Sequence, residues 1–229
     1  MNLILLFQSD FIEDGRVRLM DRRLAHVTNV HRAAVGDALT VGLCGGAIGT
    51  GVVTSLSPLE LSVSFDREPP PALPLTLILA LPRPKVLNRV IASATSLGVK
   101  EIHLINSWRV EKSYWKSPRL SSENLSEQSI LGLEQARDTR LPTITLHRLF
   151  RPFIESFTPR GRALVAHPGA VAECPRSVSG EVTLAIGPEG GFIAEEIGSF
   201  ERAGFVPVSL GPRILRVETA VAALVARLF

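Results

Sequence analysis

Hydrophobic and polar positions follow one period in the first third of the chain and another in the rest. Between residues 38 and 65 the apolar residues fall in three short runs: Ala38–Leu43, Gly51–Leu56 and Leu59–Phe65. Gly45-Gly46 and Ser57-Pro58 separate them. In the third run Leu59, Leu61, Val63 and Phe65 alternate with polar residues, the period of a strand with one buried face. Strands this closely spaced predict a compact β-barrel. The segment 68–74, Glu-Pro-Pro-Pro-Ala-Leu-Pro, reads as a stiff linker, because proline has no amide hydrogen for a helix or a central strand. Beyond it, apolar strands alternate with helical patterns. Leu75–Leu81 is a strand, and a helix follows from Pro84 with Val86, Val90, Ile91, Ala94 and Leu97 facing inward and Gly98 just past its end. Val99–Ile105 closes a βαβ unit, hence a parallel sheet. A helix over 121–136, a strand over 143–146, a helix over 150–157 and a strand over 163–166 continue the series. The pattern predicts two domains, a β domain over residues 1–70 and an α/β domain over 71–229.

The last fifty residues carry two glycine-bracketed loops. The strand Val182–Ile186 runs into Gly187-Pro-Glu-Gly-Gly-Phe192, and the strand Val206–Leu210 into Gly211-Pro-Arg-Ile-Leu-Arg-Val-Glu-Thr-Ala220. Glycine at such turns permits positive φ and leaves the backbone bare, so N–H and C=O groups can press against a flat ligand. Loops at the ends of neighbouring strands form the crevice in which open α/β sheets bind ligands. From Val217, the residues Val221, Leu224, Val225 and Leu228 repeat at helical spacing.

Composition adds limits. With 45% hydrophobic and 21% charged residues, the chain is an ordinary globular protein. Net charge is only +3, and it is uneven: residues 1–72 hold 6 Lys+Arg against 8 Asp+Glu, the remainder 19 against 14. Cys44 and Cys174 stand far apart with no Cys-x-x-Cys, so neither a disulfide framework nor a metal site is expected, and the cytoplasm is the natural compartment. The Leu3–Phe7 run is too short for a signal-peptide core, and no run approaches the ~20 apolar residues that span a bilayer. Two cationic stretches stand out. Arg16, Arg18, Arg22, Arg23 and Arg32 cluster inside the otherwise acidic first segment, and this admits a solvated surface or an RNA-backbone contact. In residues 108–119, Arg109, Lys112, Lys116 and Arg119 interleave with Trp108, Tyr114 and Trp115, which include both tryptophans and the single tyrosine of the chain. Stacking faces beside cations suit an RNA platform; aromatics packed on the core with solvated cations are the other reading.

The two C-terminal motifs, in this order, resemble the ribosomal small subunit methyltransferase E family of the SPOUT superfamily. Residues 24–32, followed by Val35-Gly-Asp37, are also similar to a family segment. The resemblance implies an N-terminal PUA-like RNA-binding β-barrel and a C-terminal SPOUT α/β domain with a trefoil knot. It implies S-adenosylmethionine as cofactor, methylation of uridine N3 in 16S ribosomal RNA (free or in the small subunit), and a homodimer beside the active site. The cofactor set is then Ala166, His167, Ile186, Gly187, Pro188, Glu189, Gly190, Gly191, Leu210, Gly211, Ile214, Leu215 and Thr219. Alkylating N3 requires loss of an imide proton and stabilisation of charge developing on O2 or O4. Glu218 is the candidate base, and Arg213 and Arg216 are the candidate cations. Substrate RNA is assigned to Arg22, Arg23, Arg32, Arg109, Lys112, Lys116 and Arg119. The C-terminal helix is the expected dimer element, since its second face carries Ala222, Ala223 and Ala226 with one late charge, Arg227.

Three positions depart from the family pattern. Asp138 stands where an arginine is usual, Val217 replaces a threonine, and Ile193 stands where a serine or threonine opens the following helix. Each lost cap costs about 0.5–2 kcal/mol. Two other classes are a non-catalytic RNA-binding protein and a nucleotide-phosphate enzyme; the second lacks the Gly-Lys-[Ser/Thr] of a phosphate-binding loop.

Overall fold

The computed structural model describes residues 2–229, which fall into two units: residues up to Pro71 with Ile130–Leu141, and Ala72–Ser129 with Pro142–Phe229. The first change of unit falls between Pro71 and Ala72, within the proline-rich segment. The surprise is residues 130–141, which cluster with the N-terminal residues. Their attraction is apolar: Ile130 and buried Leu133 pack with Leu3, Leu5, Ile48 and Phe7.

The first unit is one mixed sheet. Its strands are β1 (Ile4–Leu6), β2 (Phe11–Glu13), β3 (Arg16–Leu19), β4 (Ala38–Leu43), β5 (Ile48–Leu56) and β6 (Leu59–Arg67), in the order β1-β4-β5-β6-β3-β2. Only β1 and β4 run parallel. The alternation of β6 holds, with Leu59, Leu61 and Val63 buried and Phe65 packed beside them. The first three strands escape a sequence reading because three or four residues are too few to display a period of two. Between β3 and β4, helix α1 (Arg22–Ala25), capped by Asp21 accepting from Arg23 N at 2.8 Å, widens into a turn of π-helix over His26–His31.

Four of the five arginines of this cluster are paired with carboxylates of the same unit, and one of them, Arg23, is buried. Arg23 is 5% exposed and donates to Leu5 O at 2.7 Å, to Asp10 at 2.6 and 2.8 Å, and to Asp21 at 2.7 Å. Its role as an RNA contact is therefore corrected: a guanidinium so enclosed has no face left for a phosphate. Arg22 pairs at 2.8 Å with Glu134, whose buried carboxyl is pushed above the usual range by desolvation despite that arginine. Arg16 and Arg18 share Glu60, each at 2.7 Å. Arg32 alone of the five is exposed without such a carboxylate at hand, in a left-handed conformation at φ 52°. Asp138 is equally structural. It is 3% exposed, and its carboxylate accepts from Thr139 N at 2.6 Å and Arg140 N at 3.0 Å, closing the turn after Arg137.

The second unit is a parallel sheet with helices. Its strands are β7 (Leu75–Ala80), β8 (Glu101–Ile105), β9 (Thr143–His147), β10 (Arg162–Ala166), β11 (Val182–Ile186) and β12 (Val206–Val208), in the order β12-β10-β11-β7-β8-β9. All five pairings are parallel. The helices are α2 (Pro84–Ser96), α3 (Ser122–Ala136), α4 (Phe150–Ser156), α5 (Ala194–Arg202) and α6 (Val217–Leu228), with α3 passing into the first unit at Ile130. These bounds follow the hydrophobic pattern to within a few residues. On α2 the buried face is Leu87, Val90, Ile91, Ala94 and Thr95, with Val86 and Leu97 at its margins, and Gly98 ends the helix at φ 91°. Central β7 and β11 are buried throughout, as continuous apolar runs in parallel sheets are. Cys44 and Cys174 are free thiols. Among the described residues no helix is long and apolar enough to cross a membrane, and no cluster suits a metal ion.

His147, paired with His103, gives this unit a titrating element. His103 Nδ1 lies 3.0 Å from His147 Nε2, and His103 Nε2 lies 3.1 Å from Glu101, which also binds Arg160. Phe153 packs on His147 with ring centroids 4.5 Å apart. Burial, then the neighbouring His103, holds the His147 pKa below its ordinary 6.5. Burial of Glu101 works against ionisation, but hydrogen bonds from His103 and Arg160 outweigh it and lower its pKa from the ordinary 4.5. As pH falls below 6.5 the unfolded chain takes up the His147 proton before the folded one does, so stability drops. Glu101 adds a second loss, as pH falls below 4.5 and through its depressed folded value. The melting temperature should therefore decline from about pH 6.5 toward pH 5, and His147→Gln should flatten that part of the profile. A wild-type profile level over this interval would refute the assignment.

Candidate active site

Three neighbouring strands, β12, β10 and β11, end on the same side, as parallel strands must. The loops that follow them begin at Ser209, His167 and Gly187 and together line a cavity of about 320 Å³. Its inner wall is apolar, built from Ile186, Phe192, Val208, Val217 and Leu224. The remaining wall comes from the two glycine loops and the turn after β10, with Arg109, His167, Glu189, Ser209 and Arg213 as its polar residues. The size lies within the roughly 300–1,000 Å³ of small-molecule sites, and an apolar wall with a few polar groups is their usual chemistry.

The glycines are needed for different reasons. At Gly187 a Cβ would lie 3.0 Å from Phe192 N and 3.1 Å from Gly191 Cα, so the loop closes on itself only with bare backbone. Gly211 meets no neighbour within 4 Å, but its φ of 110° is one that side chains strongly disfavour.

Two interactions fix the loop after β8 to the loop after β11. Arg109 donates from Nη1 to Gly190 O. Glu196, 6% exposed in the first turn of α5, accepts from Trp108 N at 2.8 Å and from Ile193 N at 3.0 Å. The second bond answers the missing serine or threonine at Ile193: the acid three residues on reaches back to the helix start. The expected loss of a cap at Val217 is corrected: Val217 is the first residue of α6, the N-cap is Arg216, and that residue makes no side-chain cap bond. Glu189 accepts from Arg83 N at 3.0 Å and so is tied to the start of α2. His167 is anchored by both its groups: its amide donates to Val208 O at 2.9 Å and its Nδ1 accepts from Gly169 N at 3.1 Å.

Residues 68–229 match the model of the RNA methyltransferase domain family. Over 220 residues, the ribosomal RNA small subunit methyltransferase E of Synechocystis is 30% identical, covering 91% of this chain and 71% of the relative. The chain belongs to the ribosomal RNA small subunit methyltransferase E family. The enzyme of that name from Treponema pallidum is 29% identical, over 97% of this chain and 88% of the relative. A crystal structure of the Neisseria gonorrhoeae methyltransferase E bound to S-adenosylmethionine superposes with a TM-score of 0.78 at 25% identity, covering 99% and 95% of the two chains. A Legionella pneumophila structure with the same cofactor gives 0.75 at 24% identity, covering 99% and 96%, and at that identity speaks for the fold.

The residues that the family motifs single out are largely brought together. Ala166, His167, Ile186, Gly187, Pro188, Glu189, Gly190, Gly191, Leu210, Gly211, Ile214 and Leu215 all line the cavity; Thr219, exposed on α6, does not. Arg213 lines it, whereas Arg216 is an exposed residue at the start of α6 and Glu218 lies 3.5 Å from Arg89. Arg109, assigned to RNA from the sequence, is in the cavity wall; Lys112 and Lys116 are exposed, and Arg119 is half-buried. The aromatic stretch splits. Trp115 is 9% exposed, donates from Nε1 to Asn106 at 2.9 Å and lies under the Arg148 guanidinium, while Trp108 is 79% exposed. Pro168, Gly169 and Ser209 complete the wall without having been foreseen. A Pro-Gly pair directly after a strand is a turn signal that would have found the first two.

Proposed function

We propose that this protein is an S-adenosylmethionine-dependent methyltransferase acting on N3 of a uridine in 16S ribosomal RNA. The observation that carries the reading is the cavity formed by loops from three adjacent parallel strands, with bare glycine backbone on one side and an apolar wall on the other. The residues suit such a cofactor. An adenine ring can lie on Ile186, Leu210 and Leu215 and be read by loop amides and carbonyls, and Glu189, Arg109 and His167 stand near for its polar ends. When bound, the cofactor supplies a methyl group on a positively charged sulfur. In the balanced reaction N3 loses its proton to a base, the N–CH₃ bond forms as the S–CH₃ bond breaks, and S-adenosylhomocysteine leaves.

Within this chain Arg213, at the cavity wall, is placed to stabilise negative charge on the uracil oxygens, with Arg216 further along the same loop. Glu218 is the proposed proton acceptor, with Arg89 3.5 Å from one oxygen of its carboxylate. Holding base and cofactor in line would contribute most of the rate, as proximity does generally. The first unit serves on this reading as a PUA-like RNA-binding barrel, with Arg32 among its exposed cations. The loops around the cavity form the trefoil knot of a SPOUT domain, two copies pair through α6, and the enzyme works in the cytoplasm.

Incubating the protein with 16S ribosomal RNA, or with small subunits, and labelled S-adenosylmethionine tests this directly. The expected product is 3-methyluridine by nucleoside mass spectrometry. A methyl group on ribose or on C5 would overturn the N3 assignment, and cofactor binding without transfer to either substrate would overturn the enzyme reading.

The surface cations yield a second expectation. Reversing Lys112, Lys116 and Arg119 should weaken RNA binding and reduce the salt slope by roughly one unit for each phosphate no longer neutralised. Cofactor affinity should not change, because none of the three lines the cavity. An unaltered slope in a filter-binding series would return these residues to the solvated surface.

A further inference from the structure

Trp108 combines full display with firm anchorage. Its side chain is among the most exposed of the large apolar residues, at 79%, although indoles are normally removed from water. The chain around it is nonetheless buried and held: Ser107 is 4% exposed and Val110 7%. The Trp108 amide donates at 2.8 Å to the buried carboxylate of Glu196, whose other oxygen takes Ile193 N at 3.0 Å. The next residue, Arg109, lines the cavity and is bonded to Gly190 O. A buried carboxylate thus ties the backbone of an exposed indole to the start of α5, and the neighbouring arginine ties the same loop to the glycine turn. Trp115, by contrast, is buried and hydrogen-bonded inside the unit, and presents no free face.

We infer that Trp108 is a base-stacking residue for an unpaired base of the RNA substrate, and that Glu196 is the positioning residue that holds it beside the cavity. The inference rests on the methyltransferase reading for the nature of the ligand. Its physical basis is general. A base acted on by an enzyme must leave its stack, and a rigid aromatic face replaces the missing stacking partner. Rigidity matters because a face fixed before binding loses little conformational freedom when the base arrives. Glu196 provides that rigidity by accepting one amide on each carboxylate oxygen; in a glutamine one of those two positions becomes an NH₂ donor facing a backbone N–H.

Trp115→Phe leaves Trp108 as the only indole in a chain that has two tryptophans. In this background 16S ribosomal RNA should quench Trp108 emission, and S-adenosylmethionine alone should not. Trp108→Ala should raise the KM for RNA roughly ten- to a hundredfold with the cofactor Kd unchanged, and Trp108→Phe should recover most of the loss. Glu196→Gln should lower the emission anisotropy of Trp108 and abolish quenching by RNA. Adding Trp108→Ala to Glu196→Gln should cost nothing further. A wild-type KM in Trp108→Ala, emission blind to RNA, or full additivity of the two changes would overturn the inference. So would emission that follows protein concentration instead of RNA, which would make the indole part of an interface between copies. Quenching by RNA without any methyl transfer would leave the inference standing and remove the proposed activity.

Discussion

Gly211→Val is expected to abolish S-adenosylmethionine binding while leaving the protein folded. The residue sits at φ 110° in the loop after β12, with open space where a side chain would go. The damage is therefore conformational, not steric. A β-branched residue cannot hold that φ without strain of about 1–3 kcal/mol or more, and an exposed loop relieves such strain by moving. The atoms that move are those of Leu210–Leu215, which form one side of the cavity. Gly190→Val acts differently. Its Cβ would come within 2.8 Å of Arg109 Cδ, the flexible part of a long side chain that can swing away. The Arg109 bond to Gly190 O then breaks, so roughly a tenfold weakening is expected, the worth of one hydrogen bond. Isothermal titration with the cofactor, beside circular dichroism, measures both. Undiminished affinity in Gly211→Val would remove the loop from the site, and an equal loss in both variants would show that the distinction drawn between them is wrong.

The double substitution Ala222→Glu, Ala226→Glu is expected to leave the protein monomeric and without methyl transfer. Helix α6 buries Val217, Val221, Leu224, Val225 and Leu228 within its own unit. Its other side carries exposed Ala226 and half-buried Ala222 and Ala223. Just before it, Ile214 is 82% exposed and Leu215 37%, in the loop that lines the cavity. A lone copy would leave this apolar surface in water, and a second copy placed about a twofold axis would cover it. Two carboxylates on the helix would be buried unpaired in such an interface, at a cost that small hydrophobic side chains cannot offset. Activity should fall with association because the exposed residues of the cofactor loop would lose their support. Sedimentation, circular dichroism and a methylation assay on one preparation decide it. A wild-type protein that is monomeric at micromolar concentration and still methylates RNA would refute the proposal.

The order of helices and strands in the second unit could be read from the sequence because the signals there are local. Long apolar strands, amphipathic helices such as α2 and punctuating glycines such as Gly98 each declare themselves within a dozen residues. The motif around Gly187 and the one around Gly211 likewise announced two of the three loops of the site; a glycine turn after a strand is common, and it is the two motifs together, in this order, that are specific. Tertiary structure alone decided which distant groups meet. The third loop, at Ala166-His167, was implied by the family resemblance; that Pro168 and Gly169 join the wall follows from β10 lying between β11 and β12. Residues 130–141 continue a helical pattern that began in one unit, yet cluster with the other because Leu133 and Ile130 find Leu3 and Leu5. The arginines near the N-terminus looked alike in sequence, but whether a guanidinium faces water or Asp10 and Asp21 depends on chain crossings that carry no local mark. The same holds for Trp108 and Trp115. Composition placed both indoles in one basic stretch, and only the fold, by burying one and holding the other in the open by its backbone, made them different.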